Sequence, residues 1–215
     1  MLFEQVNNKV VRAHVTAQSP VLARRGAMLG YSGAVAFRPV RGQGGGVGGF
    51  VGAAMSGESN PMMASEGDGA VLYGYKGLYV TVIDLDGSYP LTCEADRLLA
   101  HDANLQTSVQ FVDSGGVRAA VRGAMTGQGL FTTLVHGRGP VALLSHGGAF
   151  PLQVTGQWPV GVDPQAYVGH TGNLTLDLKA KVGFRDLTGR GSGEAFTLQV
   201  TGQGTVYVQA SEQKF

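Results

Sequence analysis

The chain has 215 residues, and 35 of them are glycine, more than twice the usual share of about 7%. Charged residues make up only 14%, hydrophobic residues 43%, and the formal net charge is +1. Collagen is excluded because the glycines have no period of three, wholesale disorder by the plentiful valine, leucine and aromatic residues, and a disulfide framework by the single cysteine; the even charge balance gives no support to a strongly basic nucleic-acid binder.

The N-terminus reads MLFEQVNNKVVRAHV. Glu4 and Asn7 interrupt the apolar stretch a signal peptide needs, and the segment is not Arg- and Ser-rich and acid-free like a transit peptide. No run of 18 apolar residues occurs. The expectation is a cytoplasmic protein without a transmembrane segment. Val6, Val10, Val11 and Val15 open a strand pattern, and 19–40 continues it with Gly26, Gly30 and Gly33 as turns or bulges. The 42–60 segment, GQGGGVGGFVGAAMSGESN, reads as a glycine-rich loop that is costly to order. Phe50, Val51 and Met55 within it are candidate contacts for a partner or a membrane surface.

Regular strands resume after the loop. They are predicted at 70–75, 78–85, 89–94, 98–100, 107–112, 117–120, 130–135 and 141–145, and then at 150–155, 158–162, 167–168, 174–178, 184–187, 195–201 and 205–209. Short strands broken by turn signals such as Asp86-Gly87, Thr155-Gly156 and Ser192-Gly193 argue an all-β chain. No amphipathic segment of ten residues stands out; the nearest, 94–105, has no clean apolar stripe.

A motif of glycine, any residue, glycine, any residue, valine recurs at Gly67-Asp68-Gly69-Ala70-Val71, Gly137-Arg138-Gly139-Pro140-Val141 and Gly202-Gln203-Gly204-Thr205-Val206. A second correspondence places Gly87-Ser88-Tyr89-Pro90-Leu91 on Gly156-Gln157-Trp158-Pro159-Val160 and, at the same offset, His101 on His170, Asn104 on Asn173 and Leu105 on Leu174. Each GxG is read as lying between two strands, where glycine permits a tight reversal or a bulge. Three related β units, each unable to bury its apolar face alone, are expected to complete one another's core.

The chemistry-bearing patterns are weak. The GxGxxG spacing within 44–49 lacks a strand–turn–helix context, and Gly189-Arg190-Gly191-Ser192-Gly193 fits a serine elbow only in its letters. P-loop and HExxH motifs are absent. His136 and His146 flank the second GxG and could face each other across it; His101 and His170, being repeat-equivalent, are read as structural. Asp84 and Asp86 read as solvated turn residues, and Cys93 as a core thiol. Basic residues cluster only at Arg24-Arg25 and within 179–190. No catalytic, cofactor-binding or metal-binding residue is assigned, and no cofactor is expected.

Several stretches, taken in order, resemble a known family. They are Gly26-Ala27-Met28, the 44–58 segment ending in Gly57-Glu58, Gly69-Ala70-Val71-Leu72, the 137–144 run with Gly147, and Gly191-Ser192-Gly193-Glu194 followed by Phe196 and the 202–209 run. Together they resemble the altered-inheritance-of-mitochondria protein 24 family, which has bacterial members. The chain departs from that pattern at Asn60-Pro61-Met62-Met63, where the family usually has an aromatic-rich stretch, and at Ala195, where it often has glycine. The resemblance implies a fold like tandem units of the tryptophan RNA-binding attenuation protein (TRAP), of double-stranded β-helix type, and brings no catalytic set; mitochondrial members are linked to inner-membrane organisation.

The combined expectation is one compact all-β domain over 1–215, made of TRAP-like double-stranded β-helix or sandwich units in three pseudo-repeats. These run over about 62–130, 131–195 and 196–215, the last completed by the N-terminal strands. The expected role is a non-catalytic scaffold or binding module working through homo-oligomerisation or a protein partner. The alternatives are an RNA- or polyanion-binding protein and a small-molecule-binding β-barrel.

Overall fold

The structure, a computed structural model, describes residues 2–40, 61–111, 131–180 and 196–212. The 42–60 loop with Phe50, Val51 and Met55, and the serine-elbow letters around Ser192, lie outside the described residues. The described chain is all-β. Its strands are β1 (Phe3–Asn7), β2 (Val10–Val15), β3 (Val21–Arg24), β4 (Met28–Pro39), β5 (Met62–Tyr73), β6 (Tyr79–Asp86), β7 (Leu91–Glu94) and β8 (Leu98–Asp102). They continue as β9 (Gln106–Phe111), β10 (Phe131–His136), β11 (Arg138–Ser145), β12 (Ala149–Val154), β13 (Val160–Val162), β14 (Tyr167–Ala180) and β15 (Phe196–Gln209). A single 3-10 turn, Ala95–Arg97, is the one helical element among the described residues.

The strands form an 8-stranded sheet, ordered β1-β2-β5-β3-β8-β11-β6 with β4 also on β5, and a 7-stranded sheet, ordered β12-β15-β14-β7-β10-β9 with β13 also on β15. β1 and β2 pair with each other, and β2 pairs on with β5; β15 is paired with β12, β13 and β14. Alternation sets the faces. In β2, Val11, Ala13 and Val15 are buried while His14 faces out. The core has three parts. The first joins β1–β3 and β5 to Val80, Leu99, Ala100 and Leu144; the second centres on Leu91, Cys93, Val141 and Leu143 and takes in Val168; the third is Val154, Val162, Leu198, Val200 and Val206.

The GxG motifs do not separate strands as the sequence pattern suggests. Gly67 and Gly69 lie inside β5, and Gly202 and Gly204 inside β15. Only Gly137 marks a break, and there β10 bends and continues into β11, passing from the second sheet to the first. The reason is close approach of two long strands. Gly202 has φ +108, and a Cβ there would overlap the Asn173 carbonyl; Gly67 has φ +124 and stands in the same relation to Ala34. Glycine lets each long pair bend without reversing. The continuity of β10 and β11 also overturns the expected meeting of His136 and His146. They flank β11, His136 closing β10 before it and His146 following its last residue, roughly 30 Å of chain apart at about 3.3 Å per residue.

Candidate functional site: strand junctions and open edges

Three β-bulges recur, in β4, β8 and β14. Pairing skips from Met28↔Tyr73 to Gly30↔Leu72, from Leu98↔Leu143 to Ala100↔Ala142, and from Tyr167↔Val208 to Gly169↔Tyr207. The skipped residues are Leu29, Leu99 and Val168. Two residues on, Tyr31 pairs with Val71, His101 with Val141 and His170 with Val206, so each faces the valine of a GxGxV motif. His101 and His170 are therefore equivalent in register, as their common offset implies. The third member of the set, Tyr31, escaped the sequence reading because it is not a histidine. The signal that finds it is the proline: Pro20, Pro90 and Pro159 each stand nine residues before a bulge.

The two histidines stand at strand junctions. His101 in β8 also pairs with Leu22 in β3, and His170 in β14 with Thr92 in β7. The Nδ1–H of His101 donates to the Asp102 carbonyl at 2.8 Å, and His170 Nδ1 shares a hydrogen bond with the Tyr167 hydroxyl. Burial lowers the pKa of both, that of His170 to about 4, so both rings are neutral at pH 7. Burial, with the Glu94 carboxylate adding to it, also pushes the Cys93 thiol up to about 12. A thiol held protonated is a poor nucleophile. These groups pack and orient strands.

A buried polar cluster ties the same region together. Arg97 is fully buried in the 3-10 turn after β7. Its Nε–H donates to Glu94 at 2.7 Å and its Nη1 to the Gln209 side-chain carbonyl at 2.6 Å. The same Gln209 oxygen accepts the His146 backbone N–H at 3.0 Å. β7, the turn before β8, the end of β11 and the end of β15 are thus pinned at one point. Arg97 escaped the sequence reading because nothing in the letters separates a buried arginine from an exposed one.

Other sequence candidates are dispersed. Asp84 and Asp86 are exposed on β6, and Asp86 accepts the Ser88 backbone N–H at 2.8 Å, a turn contact that holds its carboxyl below the usual range. Arg24 donates to the Asp96 carbonyl at 2.7 Å and stacks over the Tyr75 ring. No group of three or more His, Cys, Asp or Glu is placed to hold a metal ion among the described residues. No helix among them is long and apolar enough to cross a membrane.

The two open edges differ from the junctions. β4 pairs only with β5 among the described residues, and none of its 12 residues is buried. Leu29 is 58% exposed and Tyr31 56%. At the other end, β12 and β13 pair only with β15 among the described residues, with Phe150 at 51% and Leu152 at 37% exposed.

Comparison with known proteins agrees with this architecture. The solved structure of a protein from Streptococcus pyogenes is similar at a TM-score of 0.70 and 22% identity, covering 97% of this chain and 92% of that one. This likeness is one of fold. A search of curated proteins finds no match. The family described as Mitochondrial biogenesis AIM24 matches residues 2–211, nearly the whole chain, and the protein belongs to that family.

Proposed function

We propose that the chain is a non-catalytic scaffold, built from three successive β units of TRAP-like, double-stranded β-helix character, that works through protein assembly. The recurring bulges, prolines and GxGxV valines support a division into β2–β5, β6–β11 and β12–β15, a different cut from the one the GxG spacing alone suggests. In each, a short strand after a proline (β3, β7 or β13) leads to a bulged strand (β4, β8 or β14) that pairs with the strand carrying the GxGxV valine.

The observation that carries this reading is β4, twelve residues long with none fully buried and with one edge unpaired among the described residues. An open edge of that length is a pairing template, and proteins cover such edges in assemblies. The same reading places the chain in the cytoplasm, a point that cell fractionation checks.

Native mass spectrometry of the purified chain tests it. Oligomers without bound ligand are the expected result. A bare monomer at every concentration counts against assembly. A retained small molecule favours a binding module, and retained RNA a nucleic-acid role.

A further inference from the structure

The internal junctions follow one rule. The short strand of the first unit, β3, pairs with the bulged strand of the second, β8, through Val21↔Asp102, Leu22↔His101 and Ala23↔Ala100. The short strand of the second, β7, pairs with the long strand of the third, β14, through Leu91↔Thr171, Thr92↔His170 and Cys93↔Gly169. The rule leaves the short strand of the third unit, β13, and the long strand of the first, β4, each with an unpaired edge among the described residues.

Burial marks the same two places. At the internal junctions the bulge residues Leu99 and Val168 are wholly buried, whereas Leu29 in β4 is 58% exposed. His101 is 1% exposed and its counterpart Tyr31 56%. On the other end, Ile83 in β6 and Leu152 in β12 both stand seven residues before a proline, at 7% and 37% exposure. Positions that are core in the middle of the row are bare at its ends, and the bare side chains remain apolar. Surface of this kind marks an interaction site.

We propose that the occupant of each end is a second copy of this chain, docked head to tail so that β13 of one copy pairs with β4 of the next. Carrying the internal register across gives Val160 opposite Ser32, Gly161 opposite Tyr31 and Val162 opposite Gly30. Leu29 then enters the neighbour's third core cluster beside Val162, as Leu99 and Val168 enter theirs. Gly161 has no side chain to oppose the large Tyr31 ring. The two faces are different surfaces, so the contact is heterologous and repeats into a ring where the rotation closes and into an open row where it does not. This inference rests on the assembly reading above and specifies its interface.

Two measurements separate the two. Size-exclusion light scattering and native mass spectrometry are run on the wild type and on Leu29→Asp, whose site is exposed in the single chain. Wild-type oligomers that weaken at least tenfold in Leu29→Asp, with an unchanged circular dichroism spectrum, are expected. Ser32→Cys and Val160→Cys proteins are then treated with a short bis-maleimide, singly and mixed; native Cys93 is buried. A cross-linked dimer only in the mixture is expected. Monomeric wild type at all concentrations overturns both the interface and the assembly reading. Oligomers that survive Leu29→Asp, or that cross-link in either variant alone or not at all, overturn this interface and leave the assembly reading standing.

Discussion

Leu29 and Leu99 are each the unpaired residue of a β-bulge, yet Leu99 is wholly buried and Leu29 is 58% exposed. Both stand at a shift in pairing register, and what differs is the neighbour. Leu99 has β1–β3 and β5 packed around it in the first core cluster.

That difference sets a contrast in stability. Leu99→Ala removes a buried side chain and leaves a cavity, so a loss of about 2–5 kcal/mol is expected. Leu29→Ala in dilute protein is expected to stay within about 0.5 kcal/mol of the wild type. Urea denaturation of both variants at low protein concentration checks this. Equal losses would mean that Leu29 is packed in the single chain.

The Arg97–Glu94 pair predicts a second asymmetry. Arg97→Met takes the guanidinium from a carboxylate that is mostly buried, and Glu94→Gln takes the carboxylate from a guanidinium with no solvent access. Breaking one side of a buried pair costs roughly 3–5 kcal/mol, whereas removing both charges together often costs far less. The double variant Glu94→Gln/Arg97→Met is therefore expected to be more stable than Arg97→Met or Glu94→Gln alone. Thermal melts of the three proteins measure it.

Acid sensitivity follows from His170. Its folded pKa is lowered from 6.5 to about 4 by burial, so the unfolded chain binds the proton first as pH falls. The stability is fully present above about pH 6.5 and is lost as pH drops from there toward 4, by up to roughly 3 kcal/mol at 1.36 kcal/mol per pKa unit. His101, also lowered by burial, adds in the same direction. Denaturant titrations from pH 7 to pH 4.5 should show the slope, and His170→Gln should flatten it. An unchanged slope in that variant would assign the effect to other groups.

Gly202→Ala tests the bend in β15. The positive φ costs an L-residue roughly 1–3 kcal/mol, and the overlap with the Asn173 carbonyl adds roughly 1–3 more. Gly77→Ala is the control, because its φ is +70 and its Cβ would meet nothing within 4 Å. Only the strain contribution applies there. A larger loss at Gly202 than at Gly77, read from urea midpoints, is the expected outcome.

Much of the architecture was legible in the letters. The strand opened by Val10, Val11 and Val15 and the turn at Asp86-Gly87 required only the spacing of apolar residues and a glycine with positive φ. The equivalence of His101 and His170 was legible because their offset matched that of the surrounding glycine, aromatic and proline residues. The GxG motifs misled on one point. A glycine that bends a strand past a close neighbour and a glycine that reverses it leave the same letters, and the choice depends on which strand lies opposite.

By itself, the sequence determined the strand periodicity, the places where glycine must stand, and the family to which the chain belongs. Only the tertiary structure decided that Arg97 is buried, that His136 and His146 are far apart, and that Leu99 is core while Leu29 is surface. These outcomes turn on long-range pairing. A residue's burial and ionisation follow from the strands packed against it, and those strands arrive from distant parts of the chain.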